Sequence, residues 1–368
     1  MTSSALIGRR NLLRAGAAGL LATGFPGIAK AAGSGGLSTA QSWVSNLSGP
    51  GINIERSRVT SLTYNGVPLY QSPSFCTWLK SQGVGYVRNF FGWSPYANVI
   101  GLSGNPVKND LRPYFEMIEL LTTAGIPVRF DFTDVIQVSD YTASGSLVPA
   151  WLATCAKTAA TCGFTKPSMI CFGAFNEPYD DGTNGSTWNP VLIDAFNILR
   201  QYLPASKWTL SMQHNYWNDP GHLNEAVLAP DQNVIYDCHY YPLNQPVADG
   251  NAAVQSEWAG VASGMASWSA ANGHVPLLLG EAGLWNVNDE PWGGGGLPSA
   301  TEWPAAVTDM IQGAGAYRPA PWAITDGADG DAPPINLDTG SSTACWSSAV
   351  TSSYQSAAAF VQKQSYFT

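Results

Sequence analysis

Charge is scarce in this 368-residue chain. Lys and Arg together number 17, Asp and Glu 26, and charged residues make up only 12% of the sequence. The balance is acidic, formally -9 at pH 7. An acidic surface repels a phosphate backbone, so nucleic acid is excluded as a partner. Cofactor and metal signatures are also missing. There is no C-x-x-C, no H-E-x-x-H, and no G-x-G-x-x-G after a predicted strand. The run Gly293 to Gly296 lacks the Lys-Ser/Thr of a phosphate cradle and reads as a loop. Cys76, Cys155, Cys162, Cys171, Cys238 and Cys345 match no zinc spacing. No cofactor and no metal are therefore expected. Beyond the first thirty residues no apolar run is long enough for a membrane span, so the mature form is expected off the membrane.

What fills the chain instead is apolar. Hydrophobic residues reach 45%, which suits a large core and excludes a disordered composition. Fourteen Trp and fifteen Tyr stand out. Core filling accounts for many of them, but a buried Trp needs a partner for its N–H. So many Trp in a charge-poor chain hint at an aromatic groove for a neutral ligand.

The amino terminus reads as an export signal, residues 1–31. Arg9-Arg10 precedes a mildly apolar stretch from Ala15 to Ile28, and Ala29-Lys30-Ala31 supplies an A-x-A cleavage site. The paired arginines suggest the twin-arginine route, hence a bacterial protein secreted or held in the periplasm. Removing the leader's four basic residues leaves 13 basic residues against 26 acidic ones, a net charge of -13. An exported chain can pair its cysteines, although Cys171 and Cys238 fall in apolar runs typical of buried thiols.

Residues 32–368 alternate short apolar runs with helical stretches. Eight strands are expected: "PGINI" (50–54), "VGYVRN" (84–89), "IPVRFDF" (126–132), "MICFGAFNE" (169–177), "WTLSMQ" (208–213), "VIYDCHYY" (234–241), "VPLLLGE" (275–281) and "PWAIT" (321–325). Most are apolar on both faces, as parallel strands covered by helices are. Helical patterns run over 111–124, 151–162, 190–203, 252–271 and 301–311, with a last helix over 350–364. Gly125, Gly163 and Gly273 sit at helix ends, where a left-handed residue closes the last turn. The pattern predicts one α/β domain, a (β/α)8 TIM barrel, with a doubly wound sheet as the alternative.

In such a barrel functional groups gather at the carboxyl ends of the strands. Arg88-Asn89 ends the second predicted strand, Asn176-Glu177-Pro178 the fourth, His239-Tyr240-Tyr241 the sixth and Glu281 the seventh, and Trp322 opens the eighth. A carboxylate closing an apolar strand is costly unless it has work or a partner. Two of them facing one mouth suit cleavage of a glycosidic bond. One carboxyl must hand a proton to the leaving oxygen, and the other must attack or stabilise the sugar carbon.

The ordered set "GINIE" (51–55), "YVRNFFGW" (86–93), "FNEP" (175–178), "CHYYP" (238–242), "LLLGEAG" (277–283) and "PWAIT" (321–325) resembles glycoside hydrolase family 5 and its clan of (β/α)8 retaining enzymes. The resemblance implies Glu177 as acid/base and Glu281 as nucleophile. It implies Asn176 as the contact to the sugar 2-hydroxyl and Arg88 as support for the nucleophile. It further implies a His239/Tyr241 pair whose tyrosine meets the nucleophile, and Trp322 as the platform under the sugar. One departure is plain. The family usually carries a histidine near the end of the third strand, where this chain offers Asp131, Thr133 and Asp134. The resemblance then gives the hydroxyl contact to Asp134 and leaves the sugar preference open.

The function that follows is a secreted, monomeric endo-β-1,4-glucanase acting on an oligo- or polysaccharide. Alternatives remain at this level. The same barrel can act on mannan or another β-glucan, or release single sugars as a β-glucosidase. A carbohydrate-binding barrel without turnover is the alternative of another class. Each residue also has a plainer reading: a salt-bridged Glu, a structural Arg88, a core histidine, or a Trp that merely packs.

Overall fold

The computed structural model describes residues 39–54, 56–91, 111–133, 136–179, 185–240, 252–282, 317, 335–336 and 341–342. Seven parallel strands form its centre: β1 (Gly51–Asn53), β2 (Tyr86–Phe90), β3 (Val128–Asp131), β4 (Ile170–Gly173), β5 (Thr209–Gln213), β6 (Val234–Tyr240) and β7 (Leu277–Ala282). Each pairs with the next in chain order, so sequence order is spatial order. Asn53 Nδ2 of β1 donates to the Gly280 carbonyl of β7 at 3.0 Å and draws the two edges together. This nearly closed ring is a (β/α)8 barrel, as expected. The eighth predicted strand, the helices over 301–311 and 350–364, and the leader lie outside the described residues.

Helices between the strands follow their apolar spacing. Arg112–Thr123 buries Tyr114, Phe115, Ile118, Leu121 and Thr122, one face at a 3.6-residue period. Val148–Thr161 and Trp188–Tyr202 bury the same kind of stripe. Ala252–Ala271 spans the predicted bounds. Gly125, Gly163 and Gly273 all take positive φ, 85°, 74° and 79°, as their helix-closing role requires. The link from β5 to β6 carries only a 3-10 turn, Pro220–Glu225. No helix of the described residues is long and apolar enough to cross a membrane.

The fourth strand departs from its sequence reading. Its ladder ends at Gly173, four residues before Glu177. Pro178 does not stop pairing; Pro178–Tyr179 forms a small parallel ladder with Ile136–Gln137. Proline is tolerated there because the ladder is only two residues long and lies at an edge.

Two of the buried tryptophans fix strand ends. Trp151 Nε1 donates to the Phe132 carbonyl and Trp188 Nε1 to the Gln213 carbonyl, each at 2.9 Å. Each ring thus ties a helix to the end of β3 or β5 while satisfying its own N–H. The five described cysteines, Cys76, Cys155, Cys162, Cys171 and Cys238, are all free thiols, and only Cys162 is exposed.

The barrel interior is layered. At its floor Tyr86, Cys171, Ile235 and Leu278 pack with Ala40, Trp43 and Leu47, so the helix Thr39–Ser45 plugs the amino-terminal end. Above this apolar plug the inward positions turn polar: Arg88, Arg129, Asp131, Ser211 and Asp237 are all buried. Two glycines make room for them. A Cβ on Gly173 would lie 2.1 Å from Asp131 Oδ1, and one on Gly280 would lie 2.0 Å from Asp237 Oδ1. Gly280→Ala is therefore expected to lower stability by about 3 kcal/mol, because it displaces a buried, paired carboxylate. Gly260, in the helix Ala252–Ala271, has open space where its Cβ would stand. Gly260→Ala is expected to be neutral or to stabilise by about 1 kcal/mol. Calorimetric melts of the two variants, run together, check the contrast.

Candidate active site

Glu281 reaches the mouth through an irregularity in β7. The β6–β7 register pairs Cys238 with Leu279 but His239 with Glu281, so Gly280 is an extra residue. Strand side chains alternate between faces. Leu278 faces the floor and Leu279 joins the outer core. The bulge resets that alternation and turns Glu281 to the same side as His239, the re-aiming that bulges perform beside active sites. Glycine at the bulge also leaves space for Asp237.

Glu177 arrives on the irregular segment after β4. The segment is clamped by an unusual turn after β5, in which Tyr216, Trp217 and Asn218 all have positive φ, 58°, 53° and 61°. Such a conformation costs roughly 1–3 kcal/mol at each non-glycine residue and persists only where surroundings enforce it. Here the surroundings are hydrogen bonds. Trp217 N donates to the Pro178 carbonyl and His239 N to the Asn218 carbonyl, each at 2.9 Å. Asn218 Nδ2 donates to the Asn176 carbonyl at 2.9 Å. The strained turn thus locks the Glu177 segment to the end of β6. Trp217 also stacks on Tyr179, with ring centroids 3.9 Å apart.

These elements bring three groups together. One carboxylate oxygen of Glu177, one of Glu281 and a ring nitrogen of His239 all lie within 4.8 Å of one another. Glu177 is 13% exposed at its side chain and Glu281 7%, so both look onto the mouth rather than into the core. His239 Nδ1 is 2.9 Å from Glu177 Oε1 and 3.6 Å from Glu281 Oε2. Arg88 Nη1 donates to Glu281 Oε2 at 3.0 Å and to Asn53 Oδ1 at 2.7 Å. Arg88 Nη2 holds Asp131 at 3.3 Å and makes a short hydrogen bond to Asn176 Oδ1.

Five of the eight residues singled out in the sequence, Arg88, Asn176, Glu177, His239 and Glu281, therefore form one connected cluster. Tyr241, Trp322 and Asp134 lie outside the described residues. At the end of β3, Thr133 Oγ1 donates to the Ala174 carbonyl at 2.9 Å, and Asp131 is engaged by Arg88 and Arg129. Of the three candidates for the missing histidine's role, that engages two in the barrel wall.

Sequence reading missed Asn53, Arg129, Asp237 and Asn218. Two of them carried a signal. Arg129-Phe130-Asp131 and Asp237-Cys238-His239 each put charged or titratable groups on one face of an otherwise apolar strand, which is a period-2 pattern. Asn218 has no such signal, because its role depends on the conformation of the turn.

Two buried histidines have opposite protonation. His214 is enclosed, with Nε2 2.7 Å from the Asp219 carbonyl, and burial lowers its pKa to about 4 despite that contact. His239 is also buried, and both burial and Arg88 disfavour its charge. Glu281, Asp237 and Glu177 more than offset them and push it up to about 9. Burial should likewise raise Asp237, yet Arg129, His239 and Arg88 hold it well below the usual carboxylate range.

Stability follows from these shifts. His239 contributes fully below its unfolded value of 6.5, and that contribution is lost as pH rises through about 9. His214 must charge against burial as pH falls from 6.5 through about 4, so its share is lost on the acid side. Each limb is on the order of 3 kcal/mol. Unfolding midpoints measured from pH 4 to 9 are expected to peak between about 6 and 7. His239→Gln is expected to flatten the alkaline side.

Comparison with known proteins agrees with this architecture. The family Cellulase (glycosyl hydrolase family 5) matches residues 46–324. No curated protein matches the chain significantly. Among solved structures, a hyperthermophilic endo-β-1,4-glucanase in complex with substrate superposes with a TM-score of 0.63 at 18% identity, covering 87% of this chain and 100% of that one. A broad-specificity endoglucanase from Clostridium longisporum gives 0.65 at 15%, covering 88% and 100%. Cel5A of Thermotoga maritima in complex with mannotriose gives 0.61 at 17%, covering 84% and 99%. At such identities the superpositions speak for the shared barrel alone, whereas the family match spans most of the chain. The chain belongs to glycosyl hydrolase family 5 and is a retaining glycoside hydrolase.

Proposed function

We propose that this protein is a secreted endo-β-1,4-glucanase that cleaves β-glucan chains by double displacement, with Glu177 as acid/base and Glu281 as nucleophile. One observation carries the reading: carboxylate oxygens from the segment after β4 and from β7 approach within 4.8 Å at one mouth. Retaining enzymes hold their carboxyl groups about 5–5.5 Å apart, whereas inverting enzymes leave about 6.5–9.5 Å for a water.

In the first step a Glu281 oxygen bonds to the anomeric carbon as the glycosidic C–O bond breaks. Glu177 gives its proton to the departing oxygen. In the second step water attacks the same carbon, Glu177 takes the water proton, and the bond to Glu281 breaks. Two inversions give net retention. Arg88, paired with Glu281 at 3.0 Å, keeps the nucleophile aimed. Asn176, held by Arg88, is assigned the sugar 2-hydroxyl. Tyr241, Trp322 and Asp134 are assigned the nucleophile contact, the sugar platform and a hydroxyl contact.

Similarity to endoglucanases, one of them an endo-β-1,4-glucanase, favours β-1,4-glucan as substrate. The mannotriose bound to one neighbour supports a second reading, a β-mannan. Soluble β-1,4-glucan, mannan and aryl β-glycosides, assayed with product sizing, test the choice. The expected result is a ladder of oligosaccharides from β-1,4-glucan. Release of one sugar at a time, or cleavage of mannan alone, contradicts it. Residues 1–31 are read as a twin-arginine export signal removed before Ala32, and the mature chain as a monomer. Intact mass and light scattering of protein from culture medium check both.

A further inference from the structure

Beneath the mouth lies a line of charges that the double displacement does not itself require. Arg129 is wholly buried in β3, and its Nη2 lies 2.8 Å from Asp237 Oδ2. The same Asp237 oxygen lies 3.2 Å from His239 Nε2. On the other side of the ring, Nδ1 lies 2.9 Å from Glu177 Oε1. The side chains of Asp237 and Arg129 are fully enclosed.

A carboxylate accepts hydrogen bonds and offers none. Asp237, paired with Arg129, can only accept at Nε2, so that nitrogen carries a proton, and Nδ1 faces the acid/base Glu177 with a single proton between them. We propose that Arg129 and Asp237 are positioning residues of the catalytic centre: Arg129 holds Asp237 ionised against Nε2, and Asp237 thereby keeps one ring proton at Nε2 and leaves Nδ1 to share with Glu177 the proton that Glu177 gives to the leaving group. This inference rests on the hydrolase reading above, because it gives His239 and Glu177 a proton to hold between them.

The groups facing His239 are consistent with that assignment. Glu177 comes from the segment after β4, Glu281 from β7 and Asp237 from β6 itself. Against them stand Arg88 from β2, which repels a charged ring, and His214 after β5, which burial keeps neutral. Asn218 Nδ2 lies 3.4 Å from Nε2 but donates to the Asn176 carbonyl at 2.9 Å. Arg88 is already engaged by Asn53, Asn176, Asp131 and Glu281, with Asp237 3.6 Å from its Nε. Arg129 is the second cation, and it keeps Asp237 compensated without drawing Arg88 from Glu281. Buried charges persist only when each is paired and hydrogen-bonded. Arg129 meets that condition through Asp131 and through Ser211 Oγ at 3.2 Å.

The test is a direct titration of His239 by NMR of the imidazole nitrogens. The chain has only four histidines, so single substitutions assign the signals. In wild type His239 is expected to titrate above pH 8. In Asp237→Asn it is expected to fall by at least one pH unit, and the alkaline limb of kcat/KM is expected to move the same way. Loss of an anion beside a shared proton loosens it on whichever partner it rests. A merely structural Asp237 would lower stability or kcat without moving either titration. Should Asp237→Asn fail to fold, the double variant Arg129→Met/Asp237→Asn removes both charges and reads the same shift. A wild-type His239 that titrates at 6.5 or below overturns the proposal, as does a variant whose titration stays put. Because the titration is read without turnover, its failure leaves the hydrolase assignment standing. Absence of β-glycan cleavage would sink that assignment separately.

Discussion

Glu281→Gln is expected to lower kcat/KM on soluble β-glucan by at least about 10⁴-fold, or about 5.5 kcal/mol of transition-state stabilisation. Glutamine keeps the shape of the side chain and can still accept the hydrogen bond from Arg88 Nη1. It lacks the carboxylate that must bond to the anomeric carbon, so no glycosyl-enzyme forms. The fold is expected to persist for an electrostatic reason. Arg88 loses one partner but keeps Asp131 and Asp237, so no buried charge is left unpaired. Reducing-end assays read the loss of activity, and a thermal melt reads the retained fold. Equal activity in variant and wild type ends the assignment.

Glu177→Ala is expected to show a different pattern, because its absence is felt in both steps and can be supplied from outside. Cleavage of β-glucan, whose leaving group is a poorly acidic sugar alcohol, should fall by about 10²–10⁴-fold, the usual worth of positioned acid–base catalysis. An aryl glycoside with an acidic phenol needs no proton to depart, so glycosylation survives. Hydrolysis of the intermediate then lacks its base, and the phenol appears in a burst followed by a slow steady state. Azide needs no deprotonation and fits the space left by the side chain. Adding it should restore turnover and yield the β-glycosyl azide, with retained configuration. An α-azide product, or no dependence on the leaving group, removes Glu177 from the acid/base role.

The barrel was legible because its causes are local and repeated. Apolar runs, helical stripes and helix-closing glycines such as Gly125 and Gly273 each carry their structural meaning in a few residues. The ends of β4 and β7 were less so. The run to Glu177 looks like one strand, but its ladder stops at Gly173, and only the turn at Tyr216–Asn218 fixes where Glu177 goes. The bulge at Gly280 follows from pairing with β6, which no stretch of β7 contains by itself. The buried pair Arg129–Asp237 joins residues 108 positions apart through the barrel interior. Its two period-2 patterns could be read, but not that they meet.

The most direct measurement is to trap the intermediate. An activated 2-deoxy-2-fluoro-β-cellobioside loses its leaving group at the first step, while the fluorine destabilises the positively charged transition state of the second. Peptide mapping of the inactivated enzyme is predicted to find one fluorosugar, esterified to Glu281. A label on Glu177 or any other residue, or release of product with inverted configuration and no adduct, contradicts the account.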